Sequence, residues 1–197
     1  MSAQPSIAII VVSAILTENV ILTRFLGIGP LLGTSRRLEA AVGVSLAVVL
    51  VLVLSTALTW LVWTYLLVPV ALGFLRTILF ILVVAASALL VDTAIAVAAR
   101  SPGRAPGIFL PLVTTNCVVL GVCLLNADRG YGLLASLVSG VSSGAGFGLA
   151  LVIFSGLRER IHLARVPRAM QGPPIALIMA GLLSLAFMGF ARIVVVG

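Results

Sequence analysis

The sequence predicts an all-α integral membrane protein: six transmembrane helices arranged as two inverted three-helix repeats, with helices one and four interrupted near the midplane. Three observations carry this. First, 62% of the 197 residues are hydrophobic and 9% are charged, and the mean hydropathy is +1.33, far beyond what a soluble core of this size requires. Second, the chain divides into six apolar tracts separated by connections rich in Gly, Pro and Arg, each tract near the roughly 20 residues that a helix needs to cross a bilayer. Third, two tracts carry a mid-span asparagine within similar segments, "TENVIL" (Thr17 to Leu22) and "TTNCVV" (Thr114 to Val119). A three-span unit repeated in tandem inserts its second copy upside down, and interrupted helices of such repeats meet near the midplane at the functional site.

Each element follows in order. Span one runs from about Ser6 to Leu26 and is broken by Glu18 and Asn19. The opening "MSAQPSIAIIVVSAIL" lacks a basic leader and a small-residue cleavage site, so it reads as part of this span rather than as a removed signal peptide. Span two lies within the uncharged tract between Glu39 and Arg76, about Val44 to Tyr65, with Trp60, Trp63 and Tyr65 at its end as an interfacial aromatic belt. Span three covers about Thr77 to Ala99 and carries Asp92 towards its far end. Span four, about Pro106 to Ala127, contains Thr115, Asn116 and both cysteines. Span five, about Tyr131 to Leu157, repeats Gly140, Gly144 and Gly148 on one face with Ser136, a surface for close approach of another helix. Span six covers about Pro174 to Val195. The whole reads as one transmembrane domain, residues 1–197, with repeat one at about 1–100 and repeat two at about 101–197.

The charge is as informative as the hydropathy. All 12 basic residues are arginine, against 5 acidic ones, for a net +7. In a soluble domain that balance suggests nucleic acid; here the arginines end apolar tracts and meet lipid headgroups, so the bilayer is the expected partner and nucleic acid is not. Arg76, Arg129 and Arg192 fall on the side of the termini, whereas Arg24, Arg36, Arg37, Arg100, Arg104, Arg158, Arg160, Arg165 and Arg168 fall on the other. The positive-inside rule then places loops one, three and five in the cytoplasm and both termini outside. His162, in the basic fifth loop "RERIHLARVPR", reads as a solvated residue.

A few polar residues within the spans carry the candidate chemistry. An amide in hydrocarbon costs several kcal/mol unless bonded, so Asn19 and Asn116 call for partners, either unwound backbone at a helix break or a neighbouring helix. Glu18 is the most expensive residue to bury, and an intramembrane carboxyl is a functional candidate by default: a protonatable relay, a counter-charge for a cation or for Arg24, or a group that reaches water at the break. Asp92 reads as an interfacial polar residue near Arg100, with ion coupling as the alternative. Cys117 and Cys123 stand six positions apart, about 240° around a regular helix, which excludes a disulfide between them. They are free thiols or ligands.

Taken together, "FLGIGPLLGTSRRLEAAVG", "LRTILFILVVAA", "GIFLPLVTTNCVVLGVCLLN", "LVIFSGLRERI" and "IALIMAGLLSLAFMGF" resemble the A subunits of Rnf complexes, which are closely related to the E subunits of sodium-pumping NADH:quinone reductases. The resemblance runs from about Thr17 to Phe190. It implies a subunit of a bacterial inner-membrane complex that moves electrons between ferredoxin and NAD and couples this to Na+ or H+ movement. It also implies a homologous, oppositely oriented partner, a [2Fe-2S] cluster shared at mid-membrane with two cysteines from each chain, and further subunits carrying flavin and iron–sulfur centres.

One departure stands out. The family's "LGLCP" reads Leu26-Gly27-Ile28-Gly29-Pro30 here, so Gly29 occupies the position of the first ligand cysteine, while the second is kept as Cys117. Three arrangements accommodate this: Cys123 brought round by irregular backbone, a ligand supplied from outside the chain, or an altered or absent cluster. Without the resemblance, the same features describe a small secondary transporter, and the missing cysteine suits a structural or ion-gating subunit without a redox centre.

Overall fold

The computed structural model describes residues 7–34, 38–69, 73–98, 116–162, 167 and 170–195. Every regular element among them is helical, as lipid demands of backbone that must satisfy its own hydrogen bonds. Helix α1 (Ile7–Val12) runs into a π-helical turn at Ser13–Thr17 and is followed by α2 (Val20–Arg24) and α3 (Ile28–Thr34). Helix α4 (Leu38–Val62) ends in a second π-turn at Trp63–Leu67, and a 3₁₀ turn at Gly73–Leu75 leads into α5 (Arg76–Ala98). Then come α6 (Cys117–Asp128), α7 (Leu133–His162) and α8 (Pro173–Val195).

Three helical stretches, Ala41–Leu67, Gly73–Ile95 and Leu133–Ile161, are long and apolar enough to cross a bilayer, and Ile7–Thr17, Cys117–Asp128 and Pro173–Gly189 are shorter apolar stretches. Each falls on one of the tracts read from the sequence, so the chain is a multi-pass, all-α membrane protein. The short ones include the two tracts expected to be broken. The first stops at Glu18 and Asn19, and the described part of the fourth starts at Asn116. Thr115 and the rest of span four before it lie outside the described residues, as do the loop-five residues around Arg165 and the side chain of His162.

Helix α7 packs along α4, and glycine is the reason it can. A Cβ added at Gly140 would lie 2.8 Å from the Thr56 hydroxyl, one at Gly144 2.7 Å from Val49 Cγ2, and one at Gly148 3.2 Å from Ser45 Cβ. In lipid, helix association gains nothing from excluding water, so contact between close backbones has to supply the attraction. Val48, Val51 and Leu52 of α4 and Ala150, Leu151 and Phe154 of α7 are fully buried in the resulting core. The other face of α7 is equally tight: a Cβ on Gly146 would come within 2.8 Å of the Ala14 carbonyl oxygen. Helix α7 is therefore wedged between α4 and the first span.

Buried hydroxyls add ties between helices. Ser55 of α4 bonds Ser87 of α5, and Ser184 of α8 donates to the Leu22 carbonyl, one of the last-turn oxygens of α2 that has no partner within its own helix. At one end of the bundle Arg76 pairs with Asp128 at 2.7 Å and Arg129 pairs with Glu18. At the opposite end Arg158 donates to the Leu32 carbonyl at 2.8 Å. This is the grouping of Arg76 and Arg129 against Arg158 that the loop count expects. The aromatic belt is only partly as expected. Tyr65 is 72% exposed, whereas Trp63 lies under the Arg76 guanidinium and edge-on to Phe80.

Candidate functional site: two helix breaks and a thiol

The first break is built by Asn19. Its backbone leaves the helix at φ −57°, ψ 113° and its Oδ1 accepts the Ile21 N–H at 3.2 Å, which satisfies one of the N–H groups that open α2 without a helical partner. Its carbonyl accepts from Leu22 and Thr23 at 3.0 and 2.9 Å. Its Nδ2 donates to the Gly146 carbonyl at 2.7 Å and to the Ile15 carbonyl at 3.2 Å. The side chain is wholly buried, and the absence of a Cβ at Gly146 is what admits the amide. Ahead of it, the π-turn closes with the Glu18 N–H on the Ser13 carbonyl at 2.7 Å.

Asn116, where the described part of span four begins, repeats the cap. Asn116 is extended at φ −77°, ψ 108° and its Oδ1 accepts the Val118 N–H at 3.1 Å, while its carbonyl accepts from Val119 at 3.1 Å. Its Nδ2 is buried and has no hydrogen-bond partner among the described residues. Cys117 follows in the first turn of α6 with its side chain exposed.

The turn that follows α2 touches the start of α6. After α2 the chain turns through Phe25 (φ 53°) and Gly27 (φ 84°), and the Gly27 N–H donates to Cys117 Sγ at 3.0 Å. Only glycine fits there: φ is in the left-handed region, and a Cβ would lie 2.6 Å from Val118 Cγ2. The sulfur thus sits at a helix N-terminus with an extra N–H aimed at it, two sources of partial positive charge.

Cys123 is elsewhere. Helix α6 runs unbroken from Cys117 to Asp128, so six residues place Cys123 about 9 Å further along the axis and on another face. It is 1% exposed and bonds Thr59 of α4. No irregular backbone brings it round to Cys117.

Glu18 is exposed and ion-paired with Arg129, whose guanidinium also lies 5.8 Å from the Tyr131 ring centre. Its counter-charge is therefore Arg129 and not Arg24, a correction that sequence spacing had no means to anticipate across 111 residues. Asp92, on α5, is partly exposed. Gly29 lies in the first turn of α3, and among the described residues nothing lies within 4 Å of where its Cβ would be.

The donor set decides how far the implied cluster fits. This chain offers one exposed thiol, no side chain at Gly29 and a second thiol directed away from the first. Among the described residues no group of three or more His, Cys, Asp or Glu converges on a common point. The two-thiolate share implied by the resemblance is not furnished by these residues.

Sequence reasoning also missed the Gly27 donor and the Gly146 seat. A glycine pair in "LGIGP" and a glycine off the four-residue stripe were the available signals.

A helical bundle whose reactive group lies at a polar break, flanked by a capped break of the same kind, defines a polytopic membrane protein of the interrupted-helix class. The chain belongs to the Rnf-Nqr family: the family model described as "Rnf-Nqr subunit, membrane protein" matches residues 7–194. Among its relatives, the A component of the "Ion-translocating oxidoreductase complex" of Azoarcus sp. (strain BH72) is 50% identical over 176 residues, covering 89% of this chain and 91% of its own. The A component of the "Na(+)-translocating ferredoxin:NAD(+) oxidoreductase complex" of Acetobacterium woodii is 47% identical over 182 residues, 92% of this chain and 95% of its own. The A component of the Azotobacter vinelandii "Ion-translocating oxidoreductase complex" is 48% identical over 189 residues, 95% of this chain and 97% of its own. The resemblance read from the sequence is borne out.

Proposed function

We propose that this chain is a membrane subunit of an ion-translocating ferredoxin:NAD oxidoreductase complex in the bacterial inner membrane. In this reading its two breaks face a homologous, oppositely oriented partner, and it works beside other components that carry flavin and iron–sulfur centres. The observation that carries the reading is the exposed Cys117 thiol, held at a helix break by the Gly27 N–H. The names and near-complete coverage of the relatives support the assembly and the redox-driven ion movement.

Cys117 is the one thiolate this chain presents to a midplane redox centre, with any remaining ligands supplied from outside it. An iron–sulfur cluster at such a place would relay single electrons at a potential set by its ligands and the low dielectric. The chain's own residues do the rest: Asn19 and Asn116 cap the broken helices, Gly27 orients the sulfur, and the glycine-packed α4–α7 pair is the stiff element around them. The shared cap geometry at Asn19 and Asn116 supports two inverted repeats. Alternating access of such repeats supplies a route for Na+ or H+, with the Arg76 and Arg129 face outside.

The test is iron content and electron paramagnetic resonance of the complex purified with this subunit, wild type beside Cys117→Ser. Loss or displacement of a membrane-pair signal, with the complex still assembled, is the expected result. An unchanged signal and unchanged NAD reduction would remove the thiol from the redox path and leave a packing and ion-gating subunit.

A further inference from the structure

A cavity of about 230 Å³ opens among the ends of α4 and α6 and the start of α7, lined by Thr56, Thr59, Trp60, Trp63, Asn126 and Ser136 among others. It lies on the face that carries the Arg76–Asp128 pair, away from the Cys117 thiol. The hydroxyl hydrogens of Thr56, Thr59 and Ser136 are already committed, and Thr59 also bonds Cys123. Thr56 donates to the Leu52 carbonyl at 2.8 Å, Thr59 to the Ser55 carbonyl at 2.6 Å and Ser136 to the Tyr131 carbonyl at 3.4 Å. The Asn126 amide donates to the Ser136 carbonyl at 3.4 Å, and its Oδ1 accepts one bond, from Ser139 at 2.8 Å. What these oxygens have left to present is lone pairs.

The two arginines nearby do not counter that. Arg76 is paired with Asp128 and lies 5.6 Å from the Trp63 ring centre, and Arg129 is paired with Glu18 and lies 5.8 Å from that of Tyr131. Both charges are neutralised, and both lie over aromatic rings that line the cavity. The free lone pairs of the Thr56, Thr59, Ser136 and Asn126 side chains and the neighbouring ring faces suit a cation. With no carboxylate among the described residues of its lining, the cavity does not suit a divalent ion, which takes its affinity from carboxylate oxygens.

We propose that this cavity is a binding site for a partly hydrated monovalent cation, coordinated by the hydroxyl oxygens of Thr56, Thr59 and Ser136 and the amide oxygen of Asn126. Its volume leaves the ion part of its hydration shell, as a station that must also release its ion requires. Its service as the station for the translocated ion on this face rests on the function proposed above; binding itself does not.

The chain contains two tryptophans, and both line the cavity, so emission of the full-length chain in lipid nanodiscs reports on it directly. NaCl is titrated against choline chloride at constant ionic strength. The expected result is a saturable change with Na+ that choline does not produce. Its midpoint should rise roughly tenfold or more in Thr59→Val, which removes one oxygen ligand at constant shape. Thr93→Val removes a hydroxyl on α5 that also back-bonds its own helix and should leave the midpoint in place. If Thr59→Val loses its helical circular dichroism, Ser136→Ala takes its role. A folded wild-type chain with no Na+-specific saturable response, or a wild-type midpoint in the cavity variants, would overturn the proposal. A saturable response in a chain whose complex fails to reduce NAD would instead count against the function proposed above and leave the site standing.

Discussion

The break at Asn19 and the break at Asn116 begin alike and are used differently. Each asparagine stands outside helical geometry and caps the helix that follows by accepting the N–H two residues on. Around Asn19 the amide is also pinned to Gly146 and Ile15 and has no exposure. Around Asn116 the amide nitrogen has no partner among the described residues, and the next residue is an exposed thiol. One break is a lock that holds the first span against α7. The other holds an exposed thiol at the surface of the bundle, met by an N–H from the Gly27 turn. A shared cap is thus enough to start a helix in lipid, and the surroundings of the cap decide whether it serves packing or chemistry.

The largest effect should come from breaking the lock. Asn19→Leu removes the cap and leaves the Gly146 carbonyl without its amide, a loss of roughly 3–5 kcal/mol when the two costs are combined. Asn116→Leu removes the cap and no second described bond, about 1 kcal/mol. Thermal melting of the purified chain in detergent should rank them in that order, and equal melts would erase the comparison.

Gly27→Ala comes next, at roughly 2–3 kcal/mol, because it combines left-handed strain with a clash. It should disturb the end of α2 and the seat of the Cys117 sulfur at once, since the same turn follows the one and holds the other. Gly29→Ala, two residues on with open space around it, is the control and should stay within about 0.5 kcal/mol of wild type. A Gly27→Ala chain as stable as Gly29→Ala would show that the turn does not depend on glycine.

The two thiols sharpen the contrast without touching the backbone. A maleimide probe should label Cys117 at least tenfold faster than Cys123 in the native chain, as exposure governs access to a thiol, and labelling of Cys123 should appear only on unfolding. Comparable native rates would mean that the site around Cys123 opens readily.

How much of this was legible in the sequence depends on whether the cause is local. The apolar tracts, the break at Asn19 and the Gly140–Gly144–Gly148 stripe follow from period and composition: three helical stretches are long enough to cross a bilayer, shorter apolar ones fall on the other three tracts, and the stripe lies against α4. The partner of Glu18 was not legible, because 111 residues separate it from Arg129 and only the fold makes them neighbours. Nor was the seat of Asn19 in Gly146, or the donation from Gly27 to Cys117, contacts between segments 127 and 90 residues apart. Trp60 and Trp63 misled for another reason: their position near a span end suggested headgroups, but both line a cavity. Composition reports which residues lipid will tolerate, and tertiary contact decides which of them become a site.

The smallest effect on stability should carry the most information about the thiol. Gly29→Cys adds a side chain where nothing lies within 4 Å of the new Cβ, in the first turn of α3, so the melt should move by no more than about 0.5 kcal/mol. In the isolated chain the new thiol should label at a rate comparable to Cys117, giving two fast sites instead of one. In the assembled complex, a new ligand should shift the g-values of any membrane-pair iron signal, because thiolate ligands set the electronic state of such a centre. A variant that labels normally and assembles but leaves the spectrum untouched would mean that the place of Gly29 is not directed at the redox centre. Cys117 would then be not the remnant of a two-thiolate share but a single contact made by this chain, with the polar break around it built to hold that one atom.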